Sequence, residues 1–121
     1  MKILQLRLNG RIPSKKNSRI TQRSTGRSFA SAKYKDWHKQ SALQLLGSGK
    51  IVGACEVQIT FQMPDNRRAD LTNKAESIMD LLVDLDILED DSWKIIPRIF
   101  LGCDGVNKDN PGADIWLRQL I

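Results

Sequence analysis

The sequence predicts an α+β fold in which a small mixed sheet carries two helices on one face. Residues 2–9 and 54–63 alternate between apolar and polar side chains, which is the two-residue period of a half-buried strand. Two longer segments are predicted to be helices: 73–85 has one apolar face, whereas the apolar residues of 32–46 only partly fit one face. The predicted order is β-α-β-α-β-β, and a chain of 121 residues is most simply a single domain, 1–121.

The first strand is predicted over residues 2–9, with Leu4, Leu6 and Leu8 on one side, and it ends at Asn9-Gly10. Residues 10–30 are polar and basic, with many turn formers and few apolar side chains. This segment is predicted to be a long exposed loop or a mobile hairpin. A loop of this length in a small domain is usually functional or disordered.

The first helix is predicted over residues 32–46, with Ser31 as its N-cap and Gly47-Ser48-Gly49 at its end. The clearest strand follows at 54–63. Its inward positions are predicted to be Cys55, Val57, Ile59, Phe61 and Met63.

The second helix is predicted over residues 73–85, with one apolar face formed by Ala75, Ile78, Met79, Leu82 and Leu85. Asn73 and Glu76 have the spacing of a capping box, which offers a purely structural role for Glu76.

Two strands complete the predicted fold. Residues 93–101 are predicted to be a strand at a sheet edge or with a bulge, because Pro97 cannot donate a ladder hydrogen bond. Residues 103–113 have the composition of a turn, and 114–120 form the last predicted strand.

The charge is divided unevenly along the chain. Residues 1–54 contain twelve Lys or Arg and one Asp, a net charge of +11. Residues 55–121 contain seven Lys or Arg and thirteen acids, a net charge of −6. This division suggests a polyanion-binding surface beside a metal site. An uneven surface charge without function is the alternative.

Acidic residues stand at both ends of the second predicted helix. Asp70 precedes it, and Glu89-Asp90-Asp91 follows it. Converging carboxylates suit Mg²⁺, which prefers hard oxygen ligands and keeps positions open for water and phosphate. The structural alternatives are an Asp that interacts with the helix dipole and an acidic turn exposed to solvent.

The loop Pro13-Ser14-Lys15-Lys16-Asn17-Ser18-Arg19 is a candidate phosphate-binding segment, although an ordinary polar loop would have the same composition. A zinc cluster is not expected, because His38 is the one histidine and Cys55 and Cys103 are the two cysteines. No apolar run approaches the roughly 20 residues that span a bilayer. No membrane association and a cytoplasmic location are therefore expected.

These motifs resemble the RusA family of Holliday junction resolvases, which are mostly encoded by phages and prophages. The resemblance is carried by Met63-Pro64-Asp65, Arg67-Arg68, Asp70-Leu71-x-Asn73, Asp80-x-Leu82 and Asp90-Asp91. The segment Pro13-Ser14-Lys15-Lys16-Asn17 is similar to the family's DNA-contacting loop. The similarity covers nearly all of the chain and is most specific from residue 63 to 91.

The resemblance implies an intertwined homodimer that binds four-way DNA junctions and makes two symmetric nicks with Mg²⁺, for which Mn²⁺ is an alternative ion. The family's three catalytic carboxylates fall on Asp70, Thr72 and Asp91. Thr72 therefore replaces an Asp, and Glu76 stands where the best-known members have a lysine. Positions 72 and 76 are i,i+4 neighbours, so Glu76 is a candidate replacement for the missing carboxylate.

The leading hypothesis is a magnesium-dependent endonuclease for branched DNA. Its metal ligands and catalytic residues would be Asp70 and Asp91, supported by Asp90 and Glu76. DNA contacts are assigned to Ser14, Lys15, Lys16, Asn17, Arg19, Arg67, Arg68 and Lys74. The first alternative is a junction-binding protein that no longer cleaves, because Thr72 interrupts the carboxylate triad. The second is a small prophage interaction protein without a DNA role.

Overall fold

A computed structural model describes residues 2–15, 19–21 and 28–120, without the side chains of 19–21 and 28–30. The elements in chain order are β1 (Ile3–Asn9), β2 (Arg19–Thr21), β3 (Ser28–Ala30), α1 (Ala32–Gln44), β4 (Cys55–Met63), α2 (Leu71–Asp84), β5 (Arg98–Val106) and β6 (Gly112–Gln119). Within the described residues, no helix is long and apolar enough to cross a membrane.

Four strands form a mixed sheet in the order β1-β6-β4-β5. Strand β6 is antiparallel to both β1 and β4, whereas β4 and β5 are parallel. Parallel neighbours need a crossover connection, and α2 provides it. The α+β class, the mixed sheet and the two helices are confirmed.

The core lies between one face of the sheet and the two helices. It takes alternate residues from the sheet, as the two-residue period requires, and the apolar side of α2. The fully buried members of the sheet and α2 include Leu8, Val57, Ile59, Ile78, Leu82, Ile115 and Leu117. The other face of the sheet, called the open face below, carries Gln5, Arg7, Gln58, Phe100 and Trp116.

The predicted segment 10–30 contains strands β2 and β3, which pair antiparallel from Arg19↔Ala30 to Thr21↔Ser28. The hairpin alternative is therefore confirmed for its strands. The predicted mobility is untested, and residues 16–18 and 22–27 lie outside the described residues.

The predicted strand 93–101 is wrong at both ends, since β5 spans Arg98–Val106. The amides of Ile95 and Ile96 donate to the Ser92 carbonyl at 3.1 and 2.8 Å, which folds residues 92–96 into a turn. Pro97 stands between this turn and β5. Of the two alternatives, an edge position or a bulge, the edge position is confirmed, because β5 lies at the end of the sheet order. The register of β5 with β4 shifts after Cys103, away from Pro97.

The predicted start of the second helix is also wrong. Helix α2 begins at Leu71, and Asp70 occupies the N-cap position. Asn73 is therefore the third helical residue, and Glu76 lies in the second turn. Since Glu76 is not at the N3 position, the capping box does not exist, and this structural role for Glu76 is excluded.

Candidate active site

The segment that follows β1 is held against α2 by four contacts. The Lys74 ammonium donates to the Ile12 carbonyl, and the Ser77 hydroxyl donates to the Pro13 carbonyl at 2.7 Å. The Lys15 amide donates to the Asn73 carbonyl at 3.3 Å, and the Lys15 ammonium contacts Asp80 Oδ1 at 3.1 Å. The start of the basic segment 10–30, called the basic arm below, is thus fixed along the first three turns of α2. We call these contacts the α2 seam.

The Asp80 carboxylate joins the α2 seam to α1. Its Oδ2 accepts a hydrogen bond from the Tyr34 hydroxyl at 3.3 Å while Oδ1 contacts Lys15. Burial raises the pKa of Tyr34 to about 12, and the negative charge of Asp80 adds to the shift. Asp80 therefore positions Lys15 while it is itself held by a neutral phenol.

Asp70 lines a cavity of about 590 Å³, called the Asp70 cavity, between α2 and the segments that follow β1 and β4. Its polar lining is rich in cationic and acidic groups: Arg11, Ser14, Asp65, Arg67, Arg68, Asn73 and Lys74. The Asp70 carboxylate caps no backbone amide and instead accepts from Asn73 Nδ2 at 3.3 Å. It is exposed, so it keeps oxygen lone pairs available to a ligand.

A second cavity of about 590 Å³, called the Glu76 cavity, lies on the β5 side of α2. Its polar lining comes from Lys15, Thr72, Glu76 and Asp91. Its apolar lining comes from Ala75, Met79, Ile99 and Leu101. Two of the predicted catalytic carboxylates, on Glu76 and Asp91, therefore share one cavity with the threonine that interrupts the triad.

The helical period of α2 explains why the predicted residues line two cavities. Positions 70, 73 and 74 lie on one side of the helix, and positions 72, 75, 76 and 79 lie on the other. Among the described residues, the one group of three metal-binding side chains with ligand atoms within 4.8 Å is His38, Asp80 and Asp84. The four predicted carboxylates do not form such a group within one chain.

Asp90 lies outside both cavities. A hydrogen bond from the Asp91 amide, followed in importance by the Ser92 side chain, holds the pKa of Asp90 below its usual range. Its carboxylate thus stabilises its own turn, and it lines neither of the two cavities.

The predicted DNA contacts other than Lys74 divide into three groups. Arg67 and Arg68 are exposed beside Asp70, with Arg67 Nε at 3.4 Å from Asp65 Oδ2, and Ser14 lines the same cavity. Lys15 lines the Glu76 cavity. Lys16 and Asn17 lie outside the described residues, as does the side chain of Arg19.

Lys74 has a different environment from the one that a phosphate contact requires. It is 7% exposed, and its ammonium is bound to the Ile12 carbonyl. Burial, with a further contribution from the nearby Arg11 charge, lowers the pKa of Lys74. In this structure Lys74 belongs to the α2 seam rather than to an exposed cationic surface.

Two charged residues of the Asp70 cavity were not proposed as site residues from the sequence. Arg11 and Asp65 form an ion pair across the cavity, and the Arg67 amide donates to Asp65 Oδ1 at 3.0 Å. The pKa of Asp65 is lowered, first by that backbone hydrogen bond and then by Arg11. Asp65 stands in the Met63-Pro64-Asp65 motif, which was a usable signal, whereas Arg11 has no motif of its own.

The family to which the chain belongs is shown by its match to a known protein family. Residues 9–118 match the family described as endodeoxyribonuclease RusA. The chain belongs to the RusA family. This membership confirms the resemblance and supports an enzyme with an endodeoxyribonuclease role at Holliday junctions. In the comparison with curated proteins, no sequence matches the chain.

RusA-type nucleases generally depend on a divalent metal. The donors at the two cavities fit such an ion, because Asp70, Glu76 and Asp91 offer hard carboxylate oxygens and all three are exposed. Magnesium in particular is usually held by one or two protein carboxylates, with the substrate phosphate and water completing its shell. Two carboxylates, those of Glu76 and Asp91, line the Glu76 cavity.

The Tyr34–Asp80 contact predicts an alkaline titration. Because the folded pKa of about 12 exceeds the unfolded value of about 10, the stability from this proton is complete below pH 10 and declines as the pH rises towards 12. Tyr34 is the one tyrosine, so tyrosinate absorbance reports it alone. Asp80→Asn should lower the midpoint only in part, since burial is the larger cause. A tyrosinate midpoint near pH 10 in the folded wild-type protein would contradict both the burial of Tyr34 and its contact with Asp80.

Proposed function

We propose that this RusA-family protein, acting as one domain in a homodimer, resolves four-way DNA junctions by paired symmetric nicks with Mg²⁺, or Mn²⁺ in its place. The observation that supports this most strongly is the Glu76 cavity, which is lined by Glu76, Asp91 and Thr72. Glu76 has no capping role, and it supplies a carboxylate one helical turn from the position where an Asp is missing. A cytoplasmic location accompanies the proposal because the DNA substrate lies there.

In this proposal Glu76 and Asp91 are metal ligands in the Glu76 cavity, and Asp70 offers a further ligand from the other side of α2. Asp90 supports Asp91 by fixing the turn that carries both. A metal bound there would acidify a water molecule and stabilise negative charge on the phosphate oxygens. Lys15 brings a cation to the same cavity, where it can orient the scissile phosphate. Its position depends on Asp80, which contacts its ammonium directly.

Arg67 and Arg68 would bind the phosphates that flank the cleaved bond. Both are exposed at the rim of the Asp70 cavity, and the Arg67 backbone is held by Asp65. Ser14, Lys16, Asn17 and Arg19 would extend this contact along the arm. Such contacts set the register of the protein on DNA without reading its sequence.

A junction-binding protein without cleavage is the second candidate. It is favoured by one observation, that the predicted carboxylates do not converge to within 4.8 Å of one another in the described part of a single chain. Both candidate functions require binding to the junction, but only the first requires cleavage of it.

Three neutralising substitutions test the proposed metal ligands. Asp70→Asn, Glu76→Gln and Asp91→Asn should each lower junction cleavage at least about 100-fold, since even residues that only support metal ligands typically contribute 10–100-fold. Asp90→Asn should cost less, because its carboxylate serves the local turn. Asp109→Asn, in the exposed turn before β6, is the matched control. Junction affinity, measured by gel shift with Ca²⁺, should remain. Wild-type cleavage by Glu76→Gln would eliminate Glu76 as a ligand.

The arginine pair should determine the salt dependence of DNA binding. Arg67→Ala and Arg68→Ala should each weaken binding and reduce the slope of log K against log salt by about one for each phosphate that the arginine neutralises. Lys108→Ala removes an exposed cation from the turn between β5 and β6 and serves as the control. Equal slopes for the two arginine variants, Lys108→Ala and wild type would show that Arg67 and Arg68 do not contact phosphate.

A further inference from the structure

Strand β5 lies at one edge of the four-stranded sheet. Among the described residues it pairs only with β4, although it is nine residues long. Its apolar side chains are exposed on both faces of the sheet: Ile99 is 45% exposed on the helix side and Phe100 is 54% exposed on the open face. Proteins ordinarily protect such an edge with charges, bulges or a covering element, because its free N–H and C=O groups can pair with another strand.

The regular part of β5 has a defined centre. Its pairing with β4 runs without a break from Arg98 to Cys103, and Gly105 then adopts a φ of +94° in the bulge. Asp104 still lies on the open face, where its Oδ2 accepts from Gln62 at 3.2 Å. The segment Arg98–Asp104 is therefore seven residues long, with Leu101 at its centre.

We propose that β5 pairs antiparallel with β5 of a second copy of this chain, about a two-fold axis at Leu101. A two-fold axis requires the antiparallel arrangement and makes each contact occur twice. This interface deepens the proposed homodimer and rests on that part of the proposed function.

The register about Leu101 is self-complementary. It places Arg98 opposite the partner's Asp104 and Phe100 opposite the partner's Gly102 on the open face. On the helix side it places Ile99 opposite the partner's Cys103, and Leu101 opposite the partner's Leu101. Opposite charges across a strand pair are favourable, and an aromatic ring covers an opposing glycine well.

Neighbouring two-fold registers do not provide these matches. An axis at Gly102 places Phe100 opposite the partner's Asp104 and leaves Arg98 opposite the partner's Val106. An axis at Phe100 places Arg98 opposite the partner's Gly102. Only the Leu101 axis pairs both charges, and Arg98 retains donors for a second carboxylate beyond its 3.2 Å contact with Glu56.

The pairing would bring the two Glu76 cavities together. Ile99 and Leu101 supply the β5 part of the apolar wall of this cavity, which Glu76 and Asp91 also line. Strand pairing at Leu101 would exclude water from that wall in both copies and place the two sites on either side of one axis. This arrangement suits a substrate that is itself two-fold symmetric.

Cysteine cross-linking tests the register without any cleavage assay. Opposed residues of antiparallel strands have Cα atoms about 4.5–5.5 Å apart, which a disulfide can span. Ile99→Cys should therefore form a covalent dimer with the partner's native Cys103 under mild oxidation. The same substitution combined with Cys103→Ser should form none, because the two introduced thiols at position 99 lie four positions out of register. Leu101→Cys with Cys103→Ser should cross-link at the axis and serves as the second variant if Ile99→Cys does not fold.

Sedimentation of the reduced wild-type protein at about 50 μM completes the test. The expected result is a dimer whose Kd rises at least tenfold in Arg98→Asp and recovers in Arg98→Asp/Asp104→Arg. A monomeric wild-type protein overturns the proposal. So does a dimer in which Ile99→Cys cross-links equally with and without Cys103, and so does a dimer in which neither the Ile99→Cys nor the Leu101→Cys variant cross-links. Loss of DNA cleavage with an intact, correctly cross-linked dimer would count against the proposed nuclease function alone.

Discussion

The α2 seam is the constraint on which the candidate site depends. It fixes the chain after β1 to the first three turns of α2, through Lys74, Ser77, Asn73 and Asp80. The buried Lys74 is stable there because its ammonium has a carbonyl partner, since an unpaired buried charge would be very costly. Lys15 reaches the Glu76 cavity as a consequence. The arm and the acidic helix thus act as one unit rather than as two independent motifs.

The position at which α2 begins is the second determinant of the candidate site. Because Asp70 is the N-cap, residues 72 and 76 lie on the side of the helix that faces β5, and Asp70 lies on the side that faces Arg67 and Arg68. A helix beginning two or three residues later would have used Glu76 in its cap. The exact first residue of this helix therefore decides whether Glu76 is free to bind a ligand.

Sequence reasoning identified the strands with clean alternation, because the two-residue period of β1 and β4 follows directly from one-sided burial. It misplaced β5, since the apolar run Ile95-Ile96 occurs in a turn that backbone hydrogen bonds to Ser92 create. It assigned Lys74 to DNA contact, because the partner that permits its burial, the Ile12 carbonyl, is distant in the sequence. The Arg11–Asp65 pair was missed for the same reason. The acidic residues were found because they stand at the two ends of a predicted helix and match the spacing of a known family, but their division between two cavities is a property of the three-dimensional fold.

The central claim is metal-dependent cleavage of branched DNA, and the most direct measurement compares a labelled mobile four-way junction with a linear duplex of the same sequence. Each is incubated with the protein in Mg²⁺ or in EDTA. A junction resolvase should make paired nicks at symmetric positions in the junction, in Mg²⁺ only, and leave the duplex intact. Tight binding to the junction without nicks, in Mg²⁺ or Mn²⁺, would contradict this claim and identify a junction-binding protein in which Glu76 does not replace the missing carboxylate.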